Sequence, residues 1–232
     1  RLHNGAYADY DLVPANIARH NLWPIPDSLP FEAAALSEPL ACALHGVEAA
    51  RVQAGETAVV VGAGVMARLL VSALRAKGAR VVVVGRSRAP LDAALALGAE
   101  AVVSSADGDP VAAVKALTSG RGGDAVFEAV GLPDTWKSAV AMTRKGGRAC
   151  LFGGCAQGTE VSLDAHRIHY EGLTLFGVFH HTPAYFKAAL DLLASGAVSP
   201  KGLIEGSIAL ADVPRYFADN AERALPKTAV LA

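Results

Sequence analysis

The sequence predicts an α/β protein built on a doubly wound parallel sheet. Three observations carry that prediction. From Glu56 onward, short apolar, β-branched runs alternate with alanine-rich runs of helical character. The apolar runs are continuous rather than alternating, as strands covered on both faces require. A glycine-rich turn then joins the first run to the helix behind it.

Taken in order, residues 1 to 31 read as extended and turn-rich, with Ala6–Val13 a strand candidate. Pro24, Pro26 and Pro30 exclude a regular helix over Asn21–Pro30. Phe31–Arg51 is rich in helix formers, and Pro39 is expected to split it into two pieces. Strands are predicted at Thr57–Val61, Arg80–Val84, Ala101–Val103, Asp124–Glu128, Arg148–Phe152 and Leu173–Val178. Helices are predicted at Val65–Lys77, Ala89–Leu97, Pro110–Thr118 and Asp134–Thr143. Beyond Thr182 come an amphipathic helix, Pro183–Ser195, a second helix, Ala211–Ala221, and a terminal strand, Lys227–Leu231. That tail is too short for a core of its own and is expected to pack with residues 1 to 31. The organisation read from this is residues 1–49, a linking piece; 50–180, a nucleotide-binding domain; and 181–232, a returning segment.

Composition narrows the function. The chain has 232 residues, 52% hydrophobic and 19% charged, so it can bury a sizeable core and disorder is excluded as its main state. Its net charge of −1 leaves no basic excess for a nucleic-acid backbone or an anionic membrane. The longest apolar stretch, Ala58–Ala67, stops at Arg68, far short of a bilayer span. No apolar run follows Arg1-Leu2-His3-Asn4, so no signal peptide is expected to open the chain. The cysteines, Cys42, Cys150 and Cys155, are odd in number and lack metal-site spacing. They read as buried thiols in a reducing compartment, which suggests a cytoplasmic protein.

The sharpest motif is Gly62-Ala63-Gly64-Val65-Met66-Ala67, placed directly after a strand and opening a helix. Gly62 permits the tight turn, and Gly64 lets the backbone approach a pyrophosphate. A small third residue, here Ala67, lets helix and strand pack closely. The free N–H groups at the helix start, around Val65 and Met66, then face the diphosphate. This is the dinucleotide-binding fingerprint of a Rossmann fold. Ribose recognition falls at the end of the second strand. There the letters are Gly85-Arg86-Ser87-Arg88, with glycine where an NAD site places a carboxylate. Gly85 gives room for a 2′-phosphate, Arg86 or Arg88 gives charge-assisted bonds, and Ser87 adds a donor. At roughly 1.5–3 kcal/mol per charge-assisted bond, NADP(H) would be favoured over NAD(H) by roughly tenfold to a hundredfold.

Beside the glycine loop, several stretches resemble the zinc-type medium-chain alcohol dehydrogenases of the sorbitol and threonine dehydrogenase kind. Asn21-Leu22-Trp23-Pro24-Ile25-Pro26-Asp27 with Phe31-Glu32-Ala33-Ala34 resembles the lead into that family's cofactor domain. Glu38-Pro39-Leu40-Ala41-Cys42-Ala43-Leu44-His45-Gly46-Val47 resembles its helix carrying a metal-site carboxylate. Asp124 to Gly131 and Gly146 to Gly154 resemble its fourth and fifth strands with the loops beside the nicotinamide. The likeness spans nearly the whole chain, in the family's order.

The resemblance implies a hydride transfer between NADP(H) and a secondary alcohol or polyol, or its ketone, with Zn2+ polarising the substrate oxygen in the intact enzyme. It implies cofactor contacts at Ala129, Val130, Gly153, Gly154, Phe179 and Lys227, a pocket role for His180, and a metal role for Glu38. It also implies remnants of a GroES-like, β-rich catalytic domain whose N-terminal part, with the other zinc ligands, is absent. One carboxylate cannot hold a catalytic zinc, which takes three protein ligands and an open position. The strand Leu173–Val178 corresponds to a sheet edge that pairs across a dimer, so a homodimer or homotetramer is expected. Glu38, Cys42 and His45 fall at i, i+4 and i+7, so one helix face can carry all three, although Cys42 and His45 also fit simple packing. His166 and His169 read as solvated or capping groups. Two other readings stay open: a nucleotide-binding module without catalysis, and a zinc-independent quinone or enoyl reductase relative.

Overall fold

The computed structural model describes residues 7–220 and 227–231. Its elements are α1 (Ala15–Asn21), α2 (Phe31–Ala34), α3 (Ser37–Ala49), β1 (Thr57–Val61), α4 (Val65–Ala76), β2 (Arg80–Gly85), α5 (Arg88–Ala96), β3 (Ala101–Ser104), α6 (Pro110–Leu117), β4 (Gly123–Glu128), α7 (Pro133–Met142), β5 (Thr143–Leu151), α8 (Ala165–Tyr170), β6 (Thr174–Phe176), α9 (Pro183–Ala194), β7 (Gly206–Ala209), α10 (Val213–Asp219) and β8 (Thr228–Leu231). The first six strands form one parallel sheet in the order β3-β2-β1-β4-β5-β6. That is the Rossmann order, reversing direction between β1 and β4.

The valine runs explain why both faces are covered. Side chains alternate along a strand. Ala58, Val60, Val81 and Val83 therefore join the core with α3 and α4, while Val59, Val61, Val82 and Val84 meet Val114, Ala139 and Met142 of α6 and α7. Helix starts follow local chemistry. Asp109 caps α6 by accepting from Val111 N at 2.9 Å, with Pro110 in the first turn, and Asp164 accepts from Arg167 N at 3.0 Å to cap α8.

The returning segment is held by a buried arginine of α4. Arg68 on α4, 6% exposed, donates to Gly202 O at 2.7 Å and to Glu205 at 2.6 Å. β7 and β8 then pair in parallel as a separate two-stranded sheet.

Four sequence expectations are corrected. Residues 7–13 of the Ala6–Val13 candidate form no strand, and Ala6 lies outside the described residues. A ladder needs a partner strand, and no strand pairs with this segment among the described residues. Pro39 does not split the long helical stretch. The break falls at Ala35–Leu36, and Pro39 sits in the first turn of α3, where its missing N–H has no intrahelical partner to lose. Thr143 does not end α7 but begins β5, which runs past a ladder irregularity before pairing Ala125 with Arg148. The predicted helix at Ala211–Ala221 is α10, preceded by a 3-10 turn at Leu210–Asp212; Ala221 lies outside the described residues. Three elements went unforeseen: α1, which follows Pro14, α8, which carries His166 and His169, and β7.

Candidate functional site

At the carboxyl ends of β1, β2 and β4 the sheet ladder continues for one more bond each way. Gly62 N donates to Val84 O at 2.7 Å, Ala129 N to Val61 O at 2.8 Å, Ser105 N to Gly85 O at 2.9 Å, and Gly153 N to Glu128 O at 2.7 Å. These bonds set four loops side by side over the switch point between β1 and β4, where ligands bind in open α/β sheets. A cavity of about 590 Å³ opens between them. Of the residues expected to bind cofactor, Gly62, Gly64, Gly85, Arg86, Ser87, Ala129 and Val130 line it.

The glycine loop has the geometry the motif requires. Gly62 has φ +116°, and a Cβ there would sit 3.1 Å from Val130 Cγ2 and 3.3 Å from Ala129 O. Gly64 is exposed with open space around its Cα, so a ligand can approach the backbone. Helical bonding in α4 begins with Arg68 N to Gly64 O at 2.9 Å. The N–H groups of Val65, Met66 and Ala67 therefore precede the ladder. Ala67 is 1% exposed and close-packed.

At the adenosine end, Arg86 and Ser87 face the cavity, and Arg86 makes no ion pair among the described residues. Arg88 opens α5 and is taken up by Asp92 at 2.9 Å. Gly85 leaves less room than its sequence suggests. A Cβ there would press within 2.9 Å of both Ala63 Cβ and Leu91 Cδ2, so packing as well as ligand space calls for glycine. Sequence reasoning missed Ser105, Pro110, Leu132, Thr135 and Ser138, which also line the cavity. No local pattern marks them, because they follow other strands and meet the site only through the sheet order.

The loop after β4 is tied by one buried carboxylate, and the loop after β5 is held by the backbone carbonyl of the same residue. Glu128 is 0% exposed, and its Oε1 accepts from Val130 N at 2.8 Å and Gly131 N at 2.9 Å. Trp136 Nε1 donates to Gly153 O at 2.9 Å from the other side. Gly131 and Gly153 pass so closely that a Cβ on Gly153 would lie 2.5 Å from Gly131 N. Burial, then the charge of Glu128, pushes the Cys150 thiol up to about 12.

The remaining expected residues lie elsewhere. Gly153 and Gly154 form the β5 loop beside Gly131, and Phe179 is 85% exposed behind β6. His180 has φ +57° and an exposed ring 4.1 Å from that of Phe179, while its carbonyl meets His45 Nδ1 at 2.8 Å. Lys227 lines a second cleft with Tyr7, Phe31 and Leu36, apart from the nucleotide cavity. Glu38 stands in the first turn of α3, with Cys42 Sγ at 3.5 Å and His181 Nε2 at 3.6 Å from its Oε1. Burial, with the Glu38 carboxylate second, pushes the Cys42 thiol up to about 11. His45, the third residue of that helix-face pattern, instead stacks on Tyr185 at 5.1 Å.

Strand order, glycine loop and cavity together define a dinucleotide-binding α/β protein. Residues 54–195 match the family model described as zinc-binding dehydrogenase, and the chain belongs to this zinc-type medium-chain alcohol dehydrogenase family. Among its relatives is a sorbitol dehydrogenase of Bacillus subtilis strain 168, 32% identical over 202 residues, covering 87% of this chain and 56% of the relative. An L-threonine 3-dehydrogenase of Bacillus licheniformis is 30% identical, covering 92% of this chain and 61% of that protein. The chain thus spans a little over half the length of these relatives. A solved structure assigned as a zinc-binding dehydrogenase from Sinorhizobium meliloti 1021, bound to NADP, superposes with a TM-score of 0.91 at 31% identity, covering 99% of this chain and 66% of that one. No helix among the described residues is long and apolar enough to cross a membrane.

Proposed function

We propose that the protein is an oxidoreductase that moves a hydride between NADP(H) and a secondary alcohol or polyol, or its ketone. The observation that carries this is the cavity over the β1/β4 switch point, with the Gly62–Gly64 backbone at its centre and Arg86 and Ser87 at one end. The N–H groups of Val65 and Met66 receive the pyrophosphate, and Arg86 and Ser87 receive the 2′-phosphate. The loops carrying Ala129, Val130, Gly153 and Gly154, held by Glu128, position the nicotinamide end. Phe179 and His180 border the substrate side, and Lys227 reaches the cofactor only if its cleft moves toward the cavity.

Zinc, when bound, supplies a Lewis acid for the substrate oxygen, and Glu38 is the carboxylate that the family resemblance assigns to it. We read residues 50–180 as the nucleotide-binding domain, with 1–49 and 181–232 as pieces of a GroES-like catalytic domain. We also read the protein as a cytoplasmic homodimer or homotetramer. The three unpaired cysteines and the position of β6 at the sheet edge support this reading.

The test is a paired titration with NADPH and NADH, followed by nicotinamide fluorescence, on the native chain and on Arg86→Met. NADPH is expected to bind the native chain more tightly. The variant should lose roughly tenfold to a hundredfold of NADPH affinity and little NADH affinity. Equal loss for both cofactors would overturn the 2′-phosphate assignment.

A further inference from the structure

α4 carries two charged residues, Arg68 and Arg75, and no acid. Arg75 stands in the last turn, where the helix dipole favours a cation, and its Nη1 donates to Ala79 O at 2.9 Å. Arg68 stands at the other end. Its N–H makes the helical bond to Gly64 O that closes the first turn, and a cation there opposes the dipole. Its side chain is also only 7% exposed, and burying a charge is costly unless the charge is paired. A residue that helix chemistry and burial both disfavour calls for a compensating role.

Fastening the returning segment is one such role, through Gly202 O and Glu205, but it leaves the charge incompletely neutralised. Arg68 Nε is buried without a hydrogen-bond partner. The Glu205 side chain is 44% exposed, so water screens its charge, whereas Arg68 acts through the protein interior. The net field over the start of α4 is therefore positive. Helical side chains lean toward the N-terminus of their helix, and at that end the N–H groups of Val65, Met66 and Ala67 lack helical partners. Gly64 is exposed beside them.

We propose that Arg68 is an affinity determinant for the dinucleotide pyrophosphate, acting through its charge rather than by contact, and that Glu205 sets how much of that charge the pyrophosphate feels. This role presupposes the dinucleotide reading of the cavity. It differs in kind from that of Arg86. Arg86 serves the 2′-phosphate, which NADPH alone carries, whereas Arg68 serves the pyrophosphate common to NADPH and NADH. At about one Debye length, removing one such charge changes the affinity of a diphosphate by roughly threefold to tenfold.

The test is titration of NADPH and NADH over a range of salt, read by nicotinamide fluorescence, with urea unfolding measured in parallel. The native chain is compared with Arg68→Met, Arg68→Lys and Glu205→Gln. Arg68→Met should weaken both cofactors by the same factor, roughly threefold to tenfold, and flatten the salt dependence. Arg68→Lys, which keeps the charge, should retain most of the affinity. Glu205→Gln keeps an acceptor for Nη2 but removes the neutralising charge. It should bind both cofactors roughly threefold tighter or more, while unfolding at lower urea. A residue that only fastens the returning segment cannot move affinity and stability in opposite directions. Weakened or unchanged binding in Glu205→Gln would therefore overturn the proposal, as would a loss confined to NADPH in Arg68→Met or a salt dependence there equal to the native one. Should Arg68→Met fail to fold, Glu205→Gln, at a half-exposed position, decides by the sign of its effect. A native chain that binds neither cofactor sinks the dinucleotide reading and this role with it. Native binding with changes of the wrong sign sinks the role of Arg68 alone.

Discussion

Replacing Glu128 should loosen the loop after β4, which flanks the nicotinamide end of the cavity. Its carboxylate is fully buried and accepts from two backbone N–H groups, at 2.8 and 2.9 Å. A hydrogen bond to a charged acceptor contributes about 1.5–3 kcal/mol and a neutral one about 0.5–1.5. Glu128→Gln keeps an acceptor for both donors and should cost about 2 kcal/mol. Glu128→Ala orphans both at about 1–3 kcal/mol each and opens a cavity, so about 3–6 kcal/mol is expected. With a urea m-value of about 2–3 kcal/mol/M, the glutamine variant should lower the midpoint by about 1 M and the alanine variant by about 1–3 M. The assay is equilibrium urea unfolding followed by circular dichroism, with NADPH affinity measured on each folded variant. Both variants should bind NADPH more weakly, because Val130 lines the cavity. Native-like stability and native NADPH affinity in Glu128→Ala would refute the argument that this carboxylate holds the loop after β4.

Two further outcomes follow from the geometry. At the opposite end of the sheet, Glu56 pairs with Arg148, and Asp124 accepts from Thr57 N at 2.8 Å and from Arg144. Burial is the largest single influence on both carboxyls and acts upward. The bonds to Arg148 and Gln53 N, and to Thr57 N and Arg144, outweigh it and hold both below the ordinary range. Folded values below the unfolded ones mean stability fully present above about pH 5 and lost as pH falls through the folded values, so urea midpoints should drop between about pH 5 and 3. Arg148→Met should flatten part of that drop, and an unchanged slope would remove Glu56 from the account. Gly62→Ala should cost about 1–3 kcal/mol of stability, because φ +116° is strained for any other residue and its Cβ would sit 3.1 Å from Val130. It should also weaken NADPH binding; a variant with native affinity would show that the turn tolerates the shift.

The parallel sheet was legible because its physics is local. Strands buried on both faces must be apolar throughout, and Thr57–Val61 and Arg80–Gly85 are. The glycine loop was legible for a related reason: Gly62 and Gly64 satisfy backbone constraints that neighbouring residues impose. The errors have equally physical causes. Pro39 was misjudged because its effect depends on its position within the helix turn. The strand candidate over residues 6–13 failed because a ladder belongs to two strands and only one was in view. Arg86 and Arg88 look alike in the sequence, yet a helix start between them turns one to the cavity and the other to Asp92.

By itself the sequence determined the fold class, the strand order's building blocks and the nucleotide loop, since each depends on residues within a few positions of one another. Tertiary structure alone decided what long-range contact makes. It brought Ser105 and Thr135 to the cavity, buried Glu128 beneath two loops, and set His181 rather than His45 beside Glu38 and Cys42. Helical spacing selects which side chains share a face, but only the packing of α3 against α9 selects what that face meets.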